Sequence, residues 1–563
     1  MAYRHGIYSE ELPTSITPPV NIEGNSGLVT VVGTAPSHLA QDAAKPNTPI
    51  LCYYYSEAVK QLGYSDDFDK YTLMEAVNTQ FVLYGVSPVV FINVLDPSKH
   101  YNEKTITAQG IKGTPANIGV DALIDTLEIT SGEDVEPTRL VKDTDYTLTA
   151  DDSDTKLTIT SADKIVDGKI SLSFKLTTDS DTVITATADA AENTTLTLST
   201  DTVLNSVVVE SGGSEKVALT ADVDYNAARN NNNEVVITLI TDEKVVDDTI
   251  TINYHEVDAS KVTAVDIIGG IDNETGDATG LELIESIYPR LGVLPGIIIA
   301  PKFSTNTAIA ALMKAKARLI NDTFKATAIV DIDTDAAPSY TQVVQTKEIK
   351  NLVDPFLMVC YPKVALDGKQ YHLSTHMAAL MNQIDAGNFD IPSISPSNHN
   401  LQIDSTVRKD GSEMWLGLPQ VNYLNGNGIV SALNFAGGWR LWGNRTSAYP
   451  ANNDVKDNFI PLRRMFNFIS NSLTVSFWSR IDNPANRRLI ESTVNSANIW
   501  LDSMVSKGVL LGGRTEFLST ENPTTSLMDG ILRFHIYMTP PTPAREIDWV
   551  QEYDPDYLST LFG

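Results

Sequence analysis

An α/β core interrupted by a β-rich insertion, followed by an α+β C-terminal domain with extended arms at both chain ends, is the fold class predicted by three observations. Apolar strand-like runs alternate with helical patterns on either side of residues 101–262, the order that yields a mostly parallel sheet with crossover helices. Between them the composition shifts: 101–262 holds 30 Asp and Glu against 12 Lys and Arg, with neither Trp nor Cys. Near residue 420 it shifts again, and all six tryptophans lie from Trp415 onward. With 563 residues the chain exceeds a single hydrophobic core, so several domains are expected.

The first flank opens with "GLVTVVGTAP" (27–36) and closes with "SPVVFINVLD" (87–96). Both are near-continuous apolar runs, the pattern of strands buried on two faces. Between them "YTLMEAVNTQFVLYG" (71–85) reads as a helix. After the insertion, "GLELIESIYPRLG" (280–292) is helical, "GIIIAP" (296–301) is a strand, and Ser304 caps a helix to about Ile320. "KATAIVDID" (325–333) and "FLMVCYP" (356–362) follow as strands and "STHMAALMNQI" (374–384) as a helix. Residues 27–100 and 263–420 are thus expected to form one discontinuous domain.

The insertion repeats itself at an offset of about 80 residues. Ser131-Gly132 aligns with Ser211-Gly212, Asp145-Tyr146 with Asp224-Tyr225, and Ile170-Ser171-Leu172 with Ile250-Thr251-Ile252. Alternation such as Leu157/Ile159 and Ile237/Leu239 has the period of half-buried strands. Two tandem β-sandwich-like modules, about 121–180 and 201–257, are predicted. The segment carries -18 of the net charge of -30, and without D-x-D-x-D-G spacing its acids read as a solvated face rather than a calcium site.

Residues 421–545 read as a separate C-terminal domain. "DNFIPLRRMFNFISNSL" starts a helix with Pro461 in its first turn and Leu462, Phe466, Ile469 and Leu473 on one face. The next helix takes Asn483 as cap and Pro484 as first residue, buries Ile490, Val494, Ala497, Leu501 and Met504/Val505, and stops before Gly508. Residues 1–26 contain the proline-rich stretch "EELPTSITPPV", and 546–563 follow "MTPPTP". Proline opposes local ladder formation, so both ends are expected to be extended arms that pair elsewhere.

Catalytic signatures are missing. The chain contains no G-x-x-x-x-G-K-[ST], H-E-x-x-H, G-x-S-x-G or paired C-x-x-C. His372 and His376 have a metal-compatible spacing without a neighbouring Glu, and Asp331 and Asp333 leave a strand end without an evident partner base. "DIIGGIDNETGDATG" (266–280) is acidic where a phosphate would sit. No catalytic residue, metal or cofactor is assigned. A net charge of -30 without basic runs argues against direct nucleic-acid binding. The lack of a signal peptide or membrane-length apolar segment predicts a soluble, non-secreted protein without membrane insertion. Cys52 and Cys360, each among apolar or aromatic neighbours, are expected to be buried thiols.

"GGWRLWGNRT" (437–446) packs two tryptophans and two arginines between glycines. Its chemistry suits a structural corner, a protein contact or a small-ligand site. Six blocks in order, "YRHGIYSEELPT", "VVGTAP", "PGIIIAPKFS", "LNGNGIVSALNFAGGWRLWGNRT", "FIPLRRMFNFISNSL" and "GILRFHIYMTPPTPAREI", resemble the tail sheath proteins of contractile-tailed bacteriophages. The resemblance covers 1–100 and 263–563, and residues 438–446 match that family's "G-x-R-x-W-G-x-R-T" signature, while 101–262 resembles its variable outer insertions.

The resemblance implies a subtilisin-like α/β core without working protease chemistry and a smaller C-terminal domain facing an inner tube. It implies hexameric rings stacked helically around a tail tube protein, with baseplate and tail terminator proteins as further partners, in a virion tail assembled in the host cytoplasm. Contraction would drive the tube through the host envelope for genome delivery, without nucleotide hydrolysis. Arms would add strands to a sheet of neighbouring subunits, with Tyr3, Ile7, Tyr8, Ile547, Trp549, Tyr553 and Tyr557 as candidate anchors. Trp439, Arg440, Trp442 and Arg445 become an expected brace of the inner domain, the arginines pairing with acidic groups within the subunit or on a neighbour. Alternatives are the sheath of a phage-derived bacteriocin or injection system, an α/β hydrolase, or a carbohydrate-binding protein with the β modules as heads.

Overall fold

The computed structural model describes residues 26–109, 116–117, 122–131, 138–142, 146–150, 155–159, 170–176, 183–188, 195–212, 216–240, 244 and 249–562. Its main sheet contains β1 (Val29–Gly33), β2 (Pro49–Cys52), β3 (Val89–Asn93), β4 (Ile297–Ile299), β5 (Thr327–Asp331), β6 (Leu357–Cys360), β7 (Ile429–Asn434) and β8 (Trp439–Trp442), in the order β2-β3-β1-β4-β5-β6-β7-β8. Neighbours from β3 to β7 run parallel, and β2 and β8 are antiparallel edges. Every residue of β1, β3 and β5 is buried. That is why these strands read as near-continuous apolar runs.

Helices cover the sheet. Thr72–Val77 continues as a π-helical turn, Asn78–Leu83, and helix α1 (Leu373–Ala386) is buried along most of its length. Ser304 does not cap the next helix: it sits in a 3-10 turn, and the helix Thr307–Arg318 begins after Asn306, whose side chain accepts from Ala308 N–H at 2.9 Å. The Ser304 hydroxyl instead accepts from the Asp331 N–H at 3.2 Å. Both residues could accept a capping bond; the sheet contact decides between them.

The change of architecture also falls later than residue 420. β7 and β8 complete the main sheet, whereas helices α2 (Ile460–Phe477) and α3 (Arg487–Ser506) build a second core around Met465, Ile469, Leu501 and Met504. Helix α3 begins after Asn486, not Asn483. The hairpin β9 (Gly512–Glu516) and β10 (His535–Thr539) packs on this pair as a two-stranded sheet.

The internal repeat is visible as repeated pairing. Ser131 faces Ile170 and Ile129 faces Leu172 in the first copy; Ser211 faces Ile250 and Val209 faces Ile252 in the second. Leu140 N–H donates to Ile129 O as Leu219 N–H donates to Val209 O, both at 2.9 Å. The copies do not stand as separate sandwiches. Ala186 pairs with Leu196, so strands from both share one seven-stranded sheet, and edges that could template foreign pairing are used on each other.

The chain enters and leaves this region on adjacent strands, Tyr101 opposite Val257. The second repeat is also fastened to the main body: Asp201 accepts from the Tyr71 hydroxyl at 2.6 Å and from the Lys70 ammonium, and Arg229 donates to His38 O at 3.3 Å. Replacing 102–256 with a short linker is therefore expected to preserve a cooperatively folding core. The expected loss is about 1–3 kcal/mol, for the Tyr71 hydroxyl deprived of its acceptor, read by chemical denaturation.

Candidate functional site

Segment 437–446 closes one edge of the main sheet. Gly437 and Gly438 turn the chain between β7 and β8 at φ of +83° and +98°, where a Cβ is disfavoured. The far side of β8 is covered by irregular chain: Leu401 N–H donates to Trp439 O at 2.9 Å, and Leu441 N–H to His399 O at 3.0 Å. Trp439 Nε1–H donates to Asp404 O at 2.8 Å, Trp442 Nε1–H to Asn422 Oδ1 at 3.1 Å, and Arg440 Nη1 to Asn398 O at 2.8 Å. A Cβ on Gly443 would lie 3.0 Å from Val430 Cα, so the chain could not pass there with a larger residue.

Arg445 lies 3.7 Å from the Phe459 ring centre and 4.4 Å from that of Tyr449, and donates to Asn458 Oδ1. The expected pairing of Arg440 and Arg445 with acids does not occur among the described residues; carbonyl, amide and aromatic groups hold them instead. Trp439, Arg440 and Trp442 lie on β8 of the main sheet, and Arg445 joins that edge to the start of α2 through Phe459. Arg445→Ala is expected to cost about 2 kcal/mol in unfolding free energy, and Arg445→Lys should restore only part of it because the planar stack is lost.

The strand ends where α/β proteins often place active groups hold a closed polar cluster. Asp331 accepts from the Ser374 N–H at 3.0 Å and from its hydroxyl. Glu75 accepts from the His372 N–H, from His372 Nδ1 at 2.8 Å and from the Thr375 hydroxyl at 2.8 Å. Burial raises the Asp331 carboxyl; burial also acts to raise Glu75, but the charge and hydrogen bonds of His372 hold it below its ordinary value. The two carboxylates satisfy the free N–H groups at the start of α1. His376 turns to the Tyr84 hydroxyl at 3.2 Å, and burial lowers its pKa to about 4. The two histidines therefore serve different partners, and no metal-holding group of His, Cys, Asp or Glu occurs among the described residues. Asp333 accepts from the Asp335 N–H at 3.0 Å in a turn.

Tyr3, Ile7 and Tyr8 lie outside the described residues. At Ser26 the chain is bound on both sides: its hydroxyl donates to Asp390 O at 2.7 Å and Asp385 Oδ2 at 3.1 Å, and its carbonyl accepts from Arg464 Nη2 at 3.0 Å. Arg464 forms a two-pronged pair with Asp385, with side chains 4% and 2% exposed. Beside it Arg463 donates to Asp457 Oδ1 at 2.9 Å. Neither arginine was singled out from sequence, although two adjacent arginines inside the apolar run "PLRRMFNFI" must find partners when that helix is buried.

Beyond β10, residues 540–554 have no regular secondary structure, and Pro555–Phe562 forms a 3-10 helix. Ile547, Trp549, Tyr553 and Tyr557 are 72%, 87%, 75% and 73% exposed, with Tyr557 in the helical turn rather than in extended chain. The β9–β10 sheet has two outer edges. Asn498 from α3 occupies that of β9 at Thr515, donating to its carbonyl at 3.2 Å and accepting from its N–H at 2.6 Å. No further strand flanks β10 among the described residues. No described helix is long and apolar enough to cross a membrane.

No protein-family model matches the chain. The tail sheath protein of Burkholderia phage BcepMu is 30% identical over 324 residues, which are 55% of this chain and 66% of that protein. The chain thus spans just under two thirds of that relative's length. The major tail sheath protein of Serratia phage KSP20 is 22% identical over 313 residues, 54% of this chain and 75% of that protein. Among solved structures, the sheath tail protein of Desulfitobacterium hafniense covers 92% of this chain and 93% of its own, at 9% identity and a TM-score of 0.44.

Proposed function

We propose that this chain belongs to the phage tail sheath protein family and is a structural subunit, not an enzyme, of a contractile tail sheath. It polymerises as stacked hexameric rings around a tail tube protein, contacts baseplate and terminator proteins at the ends, and contracts to drive the tube through the host envelope. Assembly takes place in the host cytoplasm and the product is a virion tail. The main sheet with its helices is a subtilisin-like core used as a rigid body, 101–262 is an outward decoration, and the unit containing α2, α3 and the β9–β10 hairpin faces the tube.

The observation that carries this reading is the uncovered C-terminal arm. Four large apolar or aromatic anchors, Ile547, Trp549, Tyr553 and Tyr557, lie on a chain segment that its own subunit leaves open. A two-stranded sheet whose β10 edge no described strand flanks is a partner for such a segment, since main-chain hydrogen bonds supply affinity and side-chain pockets supply register. Head-to-tail exchange of this kind builds open helical assemblies. Trp549, 87% exposed in the single chain, reports on it directly. The difference in fluorescence between the full chain and Trp549→Phe is expected to shift to the blue on assembly. Emission that remains water-exposed in assembled material refutes an arm that docks through Trp549.

A further inference from the structure

We infer that the groove between α3 and the 517–532 segment seats the C-terminal helical tip of a second copy of this chain. This rests on the sheath-subunit reading and adds a separate anchoring point to strand addition. Ile490 and Val494, one turn apart on α3, face Phe517, Leu527 and Leu532 across an open apolar trough. On the tip, Leu558 and Leu561 are three residues apart in a 3-10 helix and so share one face, with Tyr557 beside them. These three are 47%, 76% and 73% exposed, so the tip is not seated in its own subunit.

Charge and placement select this occupant. Residues 546–563 contain Glu546, Asp548, Glu552, Asp554 and Asp556 and no Lys or Arg. Arg487 and Arg488 lie in the first turn of the 20-residue α3; Arg487 pairs at 2.7 Å with Glu491, which also lines the groove, so Arg488 and the helix dipole are what favour negative charge there. The groove adjoins the Glu516/His535 end of the β9–β10 sheet, where Phe517 and Phe534 pack with ring centres 5.4 Å apart. A neighbour's arm that runs along the open β10 edge is delivered to it. The 15 residues between β10 and the tip can span about 50 Å when extended, enough to leave the parent subunit.

The full-length variants Val494→Cys and Leu561→Cys, co-assembled and mildly oxidised, test this. Cys52 and Cys360 are buried, so the background is silent. A disulfide-linked dimer is expected from the mixture and not from either variant alone, because only groove and tip bring sulfurs within bonding range. Adding Leu558→Asp to the tip variant should lower the dimer yield roughly tenfold or more. Tubes without the mixed dimer, or with equal dimer from a single variant, overturn the groove while leaving the sheath reading intact. Failure of the unsubstituted chain to assemble at all overturns both.

Discussion

Deletion of residues 548–563 is expected to leave a folded monomer, with unchanged circular dichroism and melting temperature, that no longer forms sheath-like tubes. The removed segment carries Trp549, Tyr553 and Tyr557, which contribute little to their own subunit because they are at least 73% exposed in it. Seating one such side chain in a neighbour is worth about 1.5–3 kcal/mol. Ordering an extended segment opposes this by roughly 1–2 kcal/mol per residue fixed, and strand pairing offsets that cost. The net effect recurs at each contact in a lattice, so its removal has its largest consequence on assembly rather than on folding. Deletion of residues 1–15 should act in the same way. Normal long cylinders from either truncation, seen by electron microscopy, would show that the arms do not join the subunits.

Substitution of Arg464 is the change expected to damage the single chain most. Arg464→Met leaves the Asp385 carboxylate buried beside Ser26 with only the serine hydroxyl as donor, and Asp385→Asn leaves the guanidinium without its counter-charge. Breaking a buried pair from one side costs about 3–5 kcal/mol. The double variant should lose less than the sum of the two, because neither charge is then stranded. Burial pushes the Asp385 carboxyl up against the opposing pull of Arg464 and Ser26, in keeping with a site where desolvation is the dominant cost. The pair also holds Ser26, where the proposed N-terminal arm would begin, so each single variant is expected to lower assembly yield as well as the denaturation midpoint. A change in unfolding free energy of under about 0.5 kcal/mol would place the pair among inert contacts.

What could be read from sequence follows how local each cause is. The parallel strands were legible because burial on both faces demands near-continuous apolar residues, as in "VTVVG" and "VVFIN". The repeat was legible because paired landmarks keep their offset, but the joining of the copies through Ala186 and Leu196 depends on which edges meet in space. The boundary near residue 420 followed the tryptophans, whereas "IVSALN" and "WRLW" are the last two strands of the main sheet. Asn483 and Asn486 are equally suitable caps by residue type, and the structure uses the second. In the brace, the motif was visible but its partners were not: Arg445 stacks on Phe459 and Tyr449, outside the nine-residue signature. Arg464 and Asp385, 79 residues apart, left no local pattern at all.

The most direct test of the central claim, that this chain builds a helical sheath, is negative-stain electron microscopy of the purified full-length protein across a range of concentrations. The expected result is tubes with a regular helical lattice and a constant diameter. Monomers or small closed oligomers at every concentration would contradict it.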